Sequence, residues 1–182
     1  MTTITIRDAR QDDADRIAGI YNQGIEDRVA TFETELRSSD DIRARLAQDQ
    51  FPMLVAVDGD DTVGWAGLSA YRPRDCYAGI AEFSIYLDRA ARGRGIGRHL
   101  LTALLATARE RGFWKLVSRI FPFNAASRAL CRACGFREVG VYEKHGRLDG
   151  QWLDVVIVER LIPENLSRGL TDTVATHVAT QE

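Results

Sequence analysis

The sequence predicts one α/β domain followed by a short tail. Strand-like and helix-like periodicities alternate between residues 4 and 161, which is typical of a sheet covered by helices. The composition is that of a globular domain, with 45% hydrophobic and 27% charged residues among 182. A chain of this size buries roughly 70% of the surface that its unfolded form exposes. We therefore expect a self-sufficient core within residues 1–162 and a poorly ordered tail at residues 163–182.

Seven runs rich in apolar, β-branched and aromatic residues predict strands. They cover residues 3–7, 51–57, 62–70, 80–87, 116–120, 136–142 and 152–161. The turn-forming run Asp58-Gly59-Asp60-Asp61 separates the second and third strands and predicts a hairpin. The last two strands are expected to enclose a polar loop.

Four segments carry helical signals. The residues expected to cap or begin them are Asp12, Ser39, Ile96 and Asn124. The connection between the first two helices carries Phe32 in a polar setting, and we expect it to act as a lid. The third helix has apolar residues at three- and four-residue spacings and stops at Gly112, while the fourth ends at Gly135.

Charge and cysteine content limit the partners and the compartment. Twenty-four basic and 26 acidic residues give a net charge of −2, so no global field attracts nucleic acid or an anionic membrane. Charges or glycines interrupt every apolar run before the roughly 18 residues that a membrane span requires. Three cysteines and an N-terminus without a signal-peptide core indicate reduced cytoplasm. We expect a cytoplasmic protein that binds neither nucleic acid nor a membrane.

A glycine-rich turn lies between the fourth strand and the third helix. Residues 92–98 read Arg-Gly-Arg-Gly-Ile-Gly-Arg, so the backbone can turn closely while the first helical N–H groups stay unpaired. Those donors, the helix dipole and the local charge of Arg89, Arg92, Arg94 and Arg98 favour a pyrophosphate. A solvated basic turn with capping glycines is the alternative. The dinucleotide fingerprint does not fit, because Arg98 stands where its third glycine would be.

These residues resemble the acetyl-CoA site of the GNAT superfamily of N-acetyltransferases. The similarity rests on Arg-x-x-Gly-x-Gly from Arg92 to Gly97, on the amphipathic helix and strand that follow, and on Asn124 and Gly135-Phe136. It covers residues 4–161. Residues 30–34, 71–77, 81–87 and 144–146 look like the branch that acetylates phosphinothricin, methionine sulfoximine and arsinothricin.

The resemblance implies a mixed sheet of about seven strands flanked by about four helices, with the fourth and fifth strands splayed apart. It also implies acetyl-CoA as cosubstrate, held along its acetyl and pantetheine arm by backbone groups of Ile85, Tyr86 and Leu87. The expected pyrophosphate cradle consists of Arg92, Gly93, Arg94, Gly95, Ile96, Gly97 and Arg98. Asn124 would bind further along the cosubstrate. Without the glycine turn, residues 80–87 would indicate only a buried strand.

Direct acetyl transfer requires a neutral amine, a polarised thioester and a proton for the leaving thiolate. By resemblance, Glu82 is the general base and acts through a water relay or in a desolvated site; an exposed strand carboxylate is the alternative. The N–H near Leu87 would polarise the thioester oxygen. Cys131 stands where many family members have tyrosine, so it is expected either to donate the proton or only to pack.

An amino-acid acceptor carries an anionic group, which arginine binds well. By resemblance, the acceptor-binding residues are Phe32, Arg72, Arg74, Tyr77, Glu82, Lys144 and His145. Arg74 is favoured over Arg72, because it corresponds to an arginine of the phosphinothricin branch. Solvated loop charge for the arginines and a core anchor for Phe32 are the alternatives. Lys144 and His145 would come from a second subunit, since the resembling enzymes are commonly homodimers.

No metal site is expected. Cys131 and Cys134 are spaced as i and i+3 on a helix and lack a second ligand pair. We expect an acetyl-CoA-dependent N-acetyltransferase that acetylates the α-amino group of a small amino acid such as phosphinothricin, arsinothricin or methionine sulfoximine. Acetylation of a protein N-terminus or lysine, which needs an open groove, and a non-catalytic CoA-binding module are the two alternatives.

Overall fold

Seven strands form one mixed sheet in the computed structural model, which describes residues 4–167. The strands are β1 (Ile4–Asp8), β2 (Met53–Asp58), β3 (Asp61–Ala70), β4 (Ile80–Leu87), β5 (Lys115–Ile120), β6 (Arg137–Leu148) and β7 (Gln151–Leu161). Their order is β1-β2-β3-β4-β5-β7-β6, and every neighbouring pair is antiparallel except β4 and β5. The α-helices within residues 4–167 are α1 (Ala14–Glu26), α2 (Ser39–Leu46), α3 (Ile96–Glu110) and α4 (Ala125–Ala133). The predicted fold class is confirmed.

Helices cover both faces of the sheet. α3 packs against β2, β3 and β4 and fully buries Leu100, Leu101 and Leu104. On the other face, α1 and α2 enclose Trp65, which contacts Ile17 and its neighbours in a second buried cluster. Because the side chains of a strand alternate, β4 contributes to both layers.

Helix ends follow local capping rules closely. α2 is capped by Ser38 and not by the predicted Ser39, because the Ser38 hydroxyl accepts an amide hydrogen bond of the first turn at 3.1 Å. α1 begins at Ala14, after a 3-10 turn that contains the predicted cap Asp12. The predicted cap of α4 is confirmed, since the Asn124 side chain accepts an amide hydrogen bond of that first turn.

The predicted polar loop after residue 142 is wrong. β6 continues through Leu148 and turns directly into β7 at Asp149 and Gly150. Its pairing with β7 is irregular between Tyr142 and Gly146. β6 is an edge strand whose side chains are almost all exposed, so its polar sequence lacks the alternation that marks a half-buried strand.

β4 and β5 separate soon after they begin. They pair only over three residues, from Ile80 with Lys115 to Glu82 with Val117. Beyond Glu82 the remaining link is a side-chain bond, in which the Ser118 hydroxyl donates to the Phe83 carbonyl oxygen at 3.0 Å. The expected splay of the fourth and fifth strands is present.

The predicted tail starts at residue 163. Pro163–Asn165 form a 3-10 turn, and the buried Asn165 amide donates to the carbonyl oxygens of Arg109 and Phe113. Residues 168–182 lie outside the described residues. Between residues 4 and 167, no helix is long and apolar enough to cross a membrane.

Candidate active site

A cleft of about 330 Å³ occupies the opening between β4 and β5. Residues of β4, β5, α4 and the segment after α1 line it. The predicted site residues among them are Phe32, Glu82, Ile85, Tyr86, Asn124 and Cys131. Four separate stretches of the chain therefore meet where the resemblance places the acetyl group.

The edge of β4 along this cleft has main-chain groups without a partner strand, although Arg92 Nε donates to the Leu87 carbonyl oxygen at 3.3 Å. The Phe83 carbonyl oxygen faces β5, whereas the Asp88 amide faces β3 and donates to Val63 at 2.9 Å. Because backbone groups alternate sides along a strand, Ile85 and Leu87 direct their N–H and C=O groups towards the opening. This is the arrangement that a pseudo-strand of amides needs.

The backbone of Tyr86 does not face the cleft, although it was expected to hold the pantetheine arm together with Ile85 and Leu87. The same alternation turns its main chain towards β3, so it does not belong to the open edge. Its ring instead lines the cleft and stacks on Trp65 with centroids 5.0 Å apart. Tyr86 therefore shapes the cleft wall with its side chain.

The glycine turn has the geometry of an anion cradle. Gly93 and Gly95 have φ of 76° and 80°, and Gly95 precedes α3 without a side-chain cap. A Cβ at either position would meet no atom within 4 Å, so the surface above the turn is open. By contrast, Gly97 packs on Leu130, only 3.2 Å from where its Cβ would lie. The first two N–H groups of α3, those of Ile96 and Gly97, lack intrahelical acceptors and adjoin this open surface, whereas the Arg98 N–H donates to the Gly95 carbonyl oxygen at 3.1 Å.

The arginines of the turn are less available than their number suggests. Arg92 pairs with Asp27 at 2.8 Å and Arg94 with Asp58 at 2.7 Å. Arg89 also binds Asp27, and hydrogen bonding from Arg89 is the main cause that holds the pKa of this carboxyl below its usual range. Among the described residues, Arg98 forms no ion pair. Main-chain donors therefore have to supply most of the anion binding.

Glu82 forms a bidentate ion pair with Arg119 across the opening. The Arg119 Nη1 and Nη2 atoms donate to the two carboxylate oxygens at 2.9 and 2.6 Å. Sequence reasoning missed Arg119. The signal in the sequence was a charged residue inside the strand-like run of residues 116–121, but the pairing of this residue with Glu82 depends on a register that only the structure shows.

A second cavity of about 230 Å³ lies beyond this pair. Glu82, Ser118 and Arg119 line both cavities. Arg72 lines the second cavity, with its guanidinium 5.2 Å from the centroid of the Tyr71 ring. The ion pair thus separates the cleft from a smaller chamber on its other side.

Some predicted acceptor residues lie elsewhere. Arg74 begins the 3-10 turn of residues 75–77 and lines neither cavity. The expected preference for Arg74 is therefore reversed, because Arg72 is the arginine that lines the second cavity. The Tyr77 ring lies perpendicular to the Tyr71 ring, with centroids 5.8 Å apart, and Tyr77 also lines neither cavity. Lys144, on the exposed strand β6, has a φ of 46°, and its amide donates to the Asp154 carboxylate of β7 at 2.7 Å. These placements reflect loop paths that spacing does not encode.

The geometry agrees with what comparison finds. The family model described as Acetyltransferase (GNAT) family matches residues 19–136, which include β4, the glycine turn and Asn124. The chain belongs to the GNAT acetyltransferase family. The acetyl donor of GNAT acetyltransferases is acetyl-CoA, and the open edge of β4 followed by the turn at Gly93 and Gly95 fits its amides and diphosphate.

Relatives of this GNAT chain include enzymes that modify small amino acids. A phosphinothricin N-acetyltransferase of Alcaligenes faecalis is 36% identical over 161 residues, which cover 86% of this chain and 81% of that protein. An L-methionine sulfoximine/L-methionine sulfone acetyltransferase of Pseudomonas aeruginosa is 35% identical over 162 residues, covering 85% and 92%.

Solved structures give the same fold. A phosphinothricin acetyltransferase of Sinorhizobium meliloti in complex with acetyl-CoA has a TM-score of 0.82 at 35% identity, covering 88% of this chain and 89% of that one. A ribosomal-protein-alanine N-acetyltransferase of Brucella melitensis has a TM-score of 0.84 at 35% identity, covering 87% and 99%.

Phe32 both lines the GNAT cleft and anchors its own segment. Its ring lies edge-on to Phe121 at 4.8 Å and so close to Gly146 that a Cβ there would be 2.8 Å away. The Asn124 amide holds the same segment by donating to the Val29 carbonyl oxygen at 3.0 Å. The two interpretations of Phe32 are therefore compatible.

Cys131 is poorly suited to protonate a thiolate. It is 2% exposed, and burial is the main cause that raises the pKa of its thiol to about 12, with Cys134 and Glu138 adding to the rise. An ordinary thiol has a pKa of about 8.5, so proton transfer from Cys131 to such a thiolate would be uphill. The packing alternative has the physical support. Among residues 4–167, no cluster of three metal-ligating side chains is present.

Proposed function

We propose that this GNAT enzyme acetylates the α-amino group of a small amino acid such as phosphinothricin, arsinothricin or methionine sulfoximine. The observation that carries the proposal is the second cavity of about 230 Å³, where Glu82 meets two guanidiniums while Lys115 and Glu159, which also line it, pair with each other. Glu82 matches an ammonium, while Arg72 and Arg119 match anionic groups. The names of two curated relatives support the same acceptor class.

The open edge of β4 orients the donor. Acetyl-CoA supplies an acetyl group activated as a thioester. Ile85 and Leu87 bind the pantetheine amides through main-chain groups, and the turn at Gly93 and Gly95 binds the diphosphate. The Leu87 N–H polarises the thioester oxygen, a role for which one preorganised donor contributes about 3 kcal/mol. The Asn124 amide already donates to the Val29 carbonyl oxygen, so Asn124 holds the segment that carries Phe32 and not the pantetheine arm.

Glu82 prepares the acceptor. Its carboxylate accepts a proton from the α-ammonium group, directly or through one water molecule, which leaves the nitrogen lone pair free to attack. The new C–N bond replaces the C–S bond, and the second proton lost by nitrogen passes to sulfur. The products are the N-acetyl amino acid, CoA thiol and the one proton that Glu82 returns to solvent. This assignment makes Glu82 catalytic and leaves Cys131 as a packing residue.

A substrate panel read by thiol release tests the proposal. The panel contains phosphinothricin, methionine sulfoximine, proteinogenic amino acids, and peptides with a free N-terminus or lysine. Turnover concentrated on small amino acids supports the proposal. Turnover of peptides alone supports a protein acetyltransferase, and acetyl-CoA binding without turnover of any amine supports a non-catalytic module.

We also propose a cytoplasmic homodimer. The sheet face and edge at β6 and β7 expose Val139, Val141, Tyr142 and Trp152, which a second copy could bury. His145 lines the second cavity of its own chain, near Tyr142, so a partner at this edge would close the acceptor side of the site. The three free cysteines support a reducing compartment. Analytical ultracentrifugation of the wild type and of Trp152→Glu tests the dimer.

A further inference from the structure

We infer that the Glu82–Arg119 ion pair is a gate that a zwitterionic acceptor opens by exchanging partners. Arg119 takes the carboxylate of the acceptor, while Glu82 takes its ammonium group. The inference rests on the proposed function for the role of Glu82, and it assigns Arg119 as an acceptor-binding residue. It also explains how a molecule in the smaller cavity reaches the acetyl group.

The position of the pair gives the first argument. Both residues line both cavities, so the closed pair stands between the acceptor chamber and the cleft where acetyl transfer occurs. Its two short bonds fix the carboxylate of Glu82 on Arg119 rather than on a substrate. The Arg119 side chain is 42% exposed and that of Glu82 is 22% exposed, so an entering solute meets the guanidinium first.

Charge balance gives the second argument. Removing one partner of this ion pair forces the remaining charge onto water or a new partner, and the loss is moderate because the Arg119 side chain is 42% exposed. An α-amino acid carries both charges on substituents of one carbon atom, so a single molecule supplies new partners for Glu82 and Arg119 together. A simple amine compensates only Glu82, and a simple carboxylate compensates only Arg119. The gate therefore selects zwitterions.

The surroundings supply the second anion site. Lys115, which also lines this cavity, is held by Glu159 at 3.0 Å. Arg72 lines the cavity with no carboxylate partner among the described residues and stacks on Tyr71. Once Arg119 holds the α-carboxylate, Arg72 remains for a side-chain anion such as a phosphinate.

Binding measurements test the gate independently of turnover. L-Methionine sulfoximine and its decarboxylated amine are titrated calorimetrically into the wild type, Arg119→Met and Arg119→Lys, with CoA present so that no acetyl group can be transferred. Arg43→Met is the matched control, because Arg43 on distant α2 is 44% exposed and binds two carboxylates, those of Asp15 and Asp40. Thermal melting establishes that each variant is folded.

We expect the wild type to bind the amino acid at least about tenfold more tightly than the amine, and Arg119→Met to lose about 10- to 100-fold for the amino acid alone. Arg119→Lys should fall between them, because it keeps the charge but not the two-pronged geometry, and it replaces Arg119→Met if that variant does not fold. Arg43→Met should match the wild type.

Equal losses for both ligands in the Arg119 variants, no loss, or a wild type that does not prefer the amino acid would overturn the gate. Thiol release is then measured separately with acetyl-CoA. Carboxylate-dependent binding through Arg119 without any turnover would refute the proposed function and leave the gate standing. Turnover of small amino acids, with the same ligand preference in the wild type and the Arg119 variants, would support the proposed function and refute the gate.

Discussion

The ring of Tyr86 occupies the space that a side chain on Gly24 would need. A Cβ built on Gly24 would lie 2.5 Å from Cδ1 of Tyr86, although the two residues belong to α1 and β4. Tyr86 stacks on Trp65 and lines the cleft, and burial is the main cause that raises the pKa of its phenol. α1 can therefore pack this closely on β4 only because Gly24 has no side chain.

Gly24→Ala should displace the Tyr86 ring and, with it, the main chain of Ile85 and Leu87. We expect a loss of about 1–3 kcal/mol in the free energy of unfolding, as is typical of overpacking, together with weaker acetyl-CoA binding. Urea denaturation and calorimetry measure the two effects. Gly19→Ala is the control on the same helix, since its Cβ would meet no atom within 4 Å, and it should gain up to about 1 kcal/mol from helix propensity. Similar behaviour of the two variants would contradict the close contact.

The two ends of α3 separate backbone strain from cosubstrate binding. Gly95 and Gly112 have φ of 80° and 84° and open space around their Cβ positions. Alanine at either position should therefore cost about 1–2 kcal/mol of stability for the left-handed conformation. Only Gly95→Ala should also weaken acetyl-CoA binding, because only that end presents the N–H groups. A fall in affinity for Gly112→Ala of the same size would show that the loss comes from general destabilisation.

Asn124 links the start of α4 to the segment that carries Phe32. Asn124→Asp keeps a good helix cap but replaces the amide that donates to Val29 with an acceptor. We expect near wild-type stability with a raised KM for the amino acid, whereas Asn124→Ala should lose about 1 kcal/mol as well. Steady-state kinetics with each substrate varied measures the effect. A rise confined to the KM for acetyl-CoA would instead assign Asn124 to the cosubstrate.

Asp13 should make stability depend on acidic pH. Burial acts to raise its pKa, but the hydrogen bonds from Arg7, the Arg10 amide and Thr62 outweigh burial and hold the pKa below the ordinary value of 3.8. A depressed pKa in the folded state stabilises the protein fully above the unfolded-state value, and this contribution is lost as pH falls through the folded-state value.

We expect Asp13→Asn to lose about 1–3 kcal/mol near neutral pH and the gap to the wild type to shrink below pH 3.8. Asp12→Asn, one residue away and exposed, is the control and should leave stability unchanged. Urea denaturation across pH values provides the measurement. A gap that stays constant through the acidic range would show that the effect does not come from ionisation.

The sequence was informative wherever a signal is local. β4 was predicted with the bounds that the structure has, and the glycine turn and the Asn124 cap follow from the conformations that these residues favour. Residue-by-residue propensity contains that information.

The sequence was uninformative wherever function depends on distant pairs. Arg119 meets Glu82 only because β4 and β5 are parallel with Glu82 opposite Val117, a register that periodicity does not reveal. Likewise, Asp27 reaches Arg92 across 65 positions of sequence and reduces the free charge of the turn. A sequence pattern indicates whether a residue lies in a strand, a helix or a turn, but which distant residue it contacts depends on strand register and three-dimensional packing.

In the proposed reaction, Glu82 accepts the proton of the acceptor amine while the β4 edge and the glycine turn hold acetyl-CoA. The most direct test is the kcat of Glu82→Gln, measured by thiol release against pH beside its calorimetric affinity for acetyl-CoA. We predict a fall in kcat of about 10²- to 10⁴-fold at neutral pH. The fall should shrink above about pH 9, where the α-ammonium of a free amino acid loses its proton without help. Acetyl-CoA affinity should stay unchanged. An unaltered kcat, or a deficit that is independent of pH, would show that Glu82 is not the base.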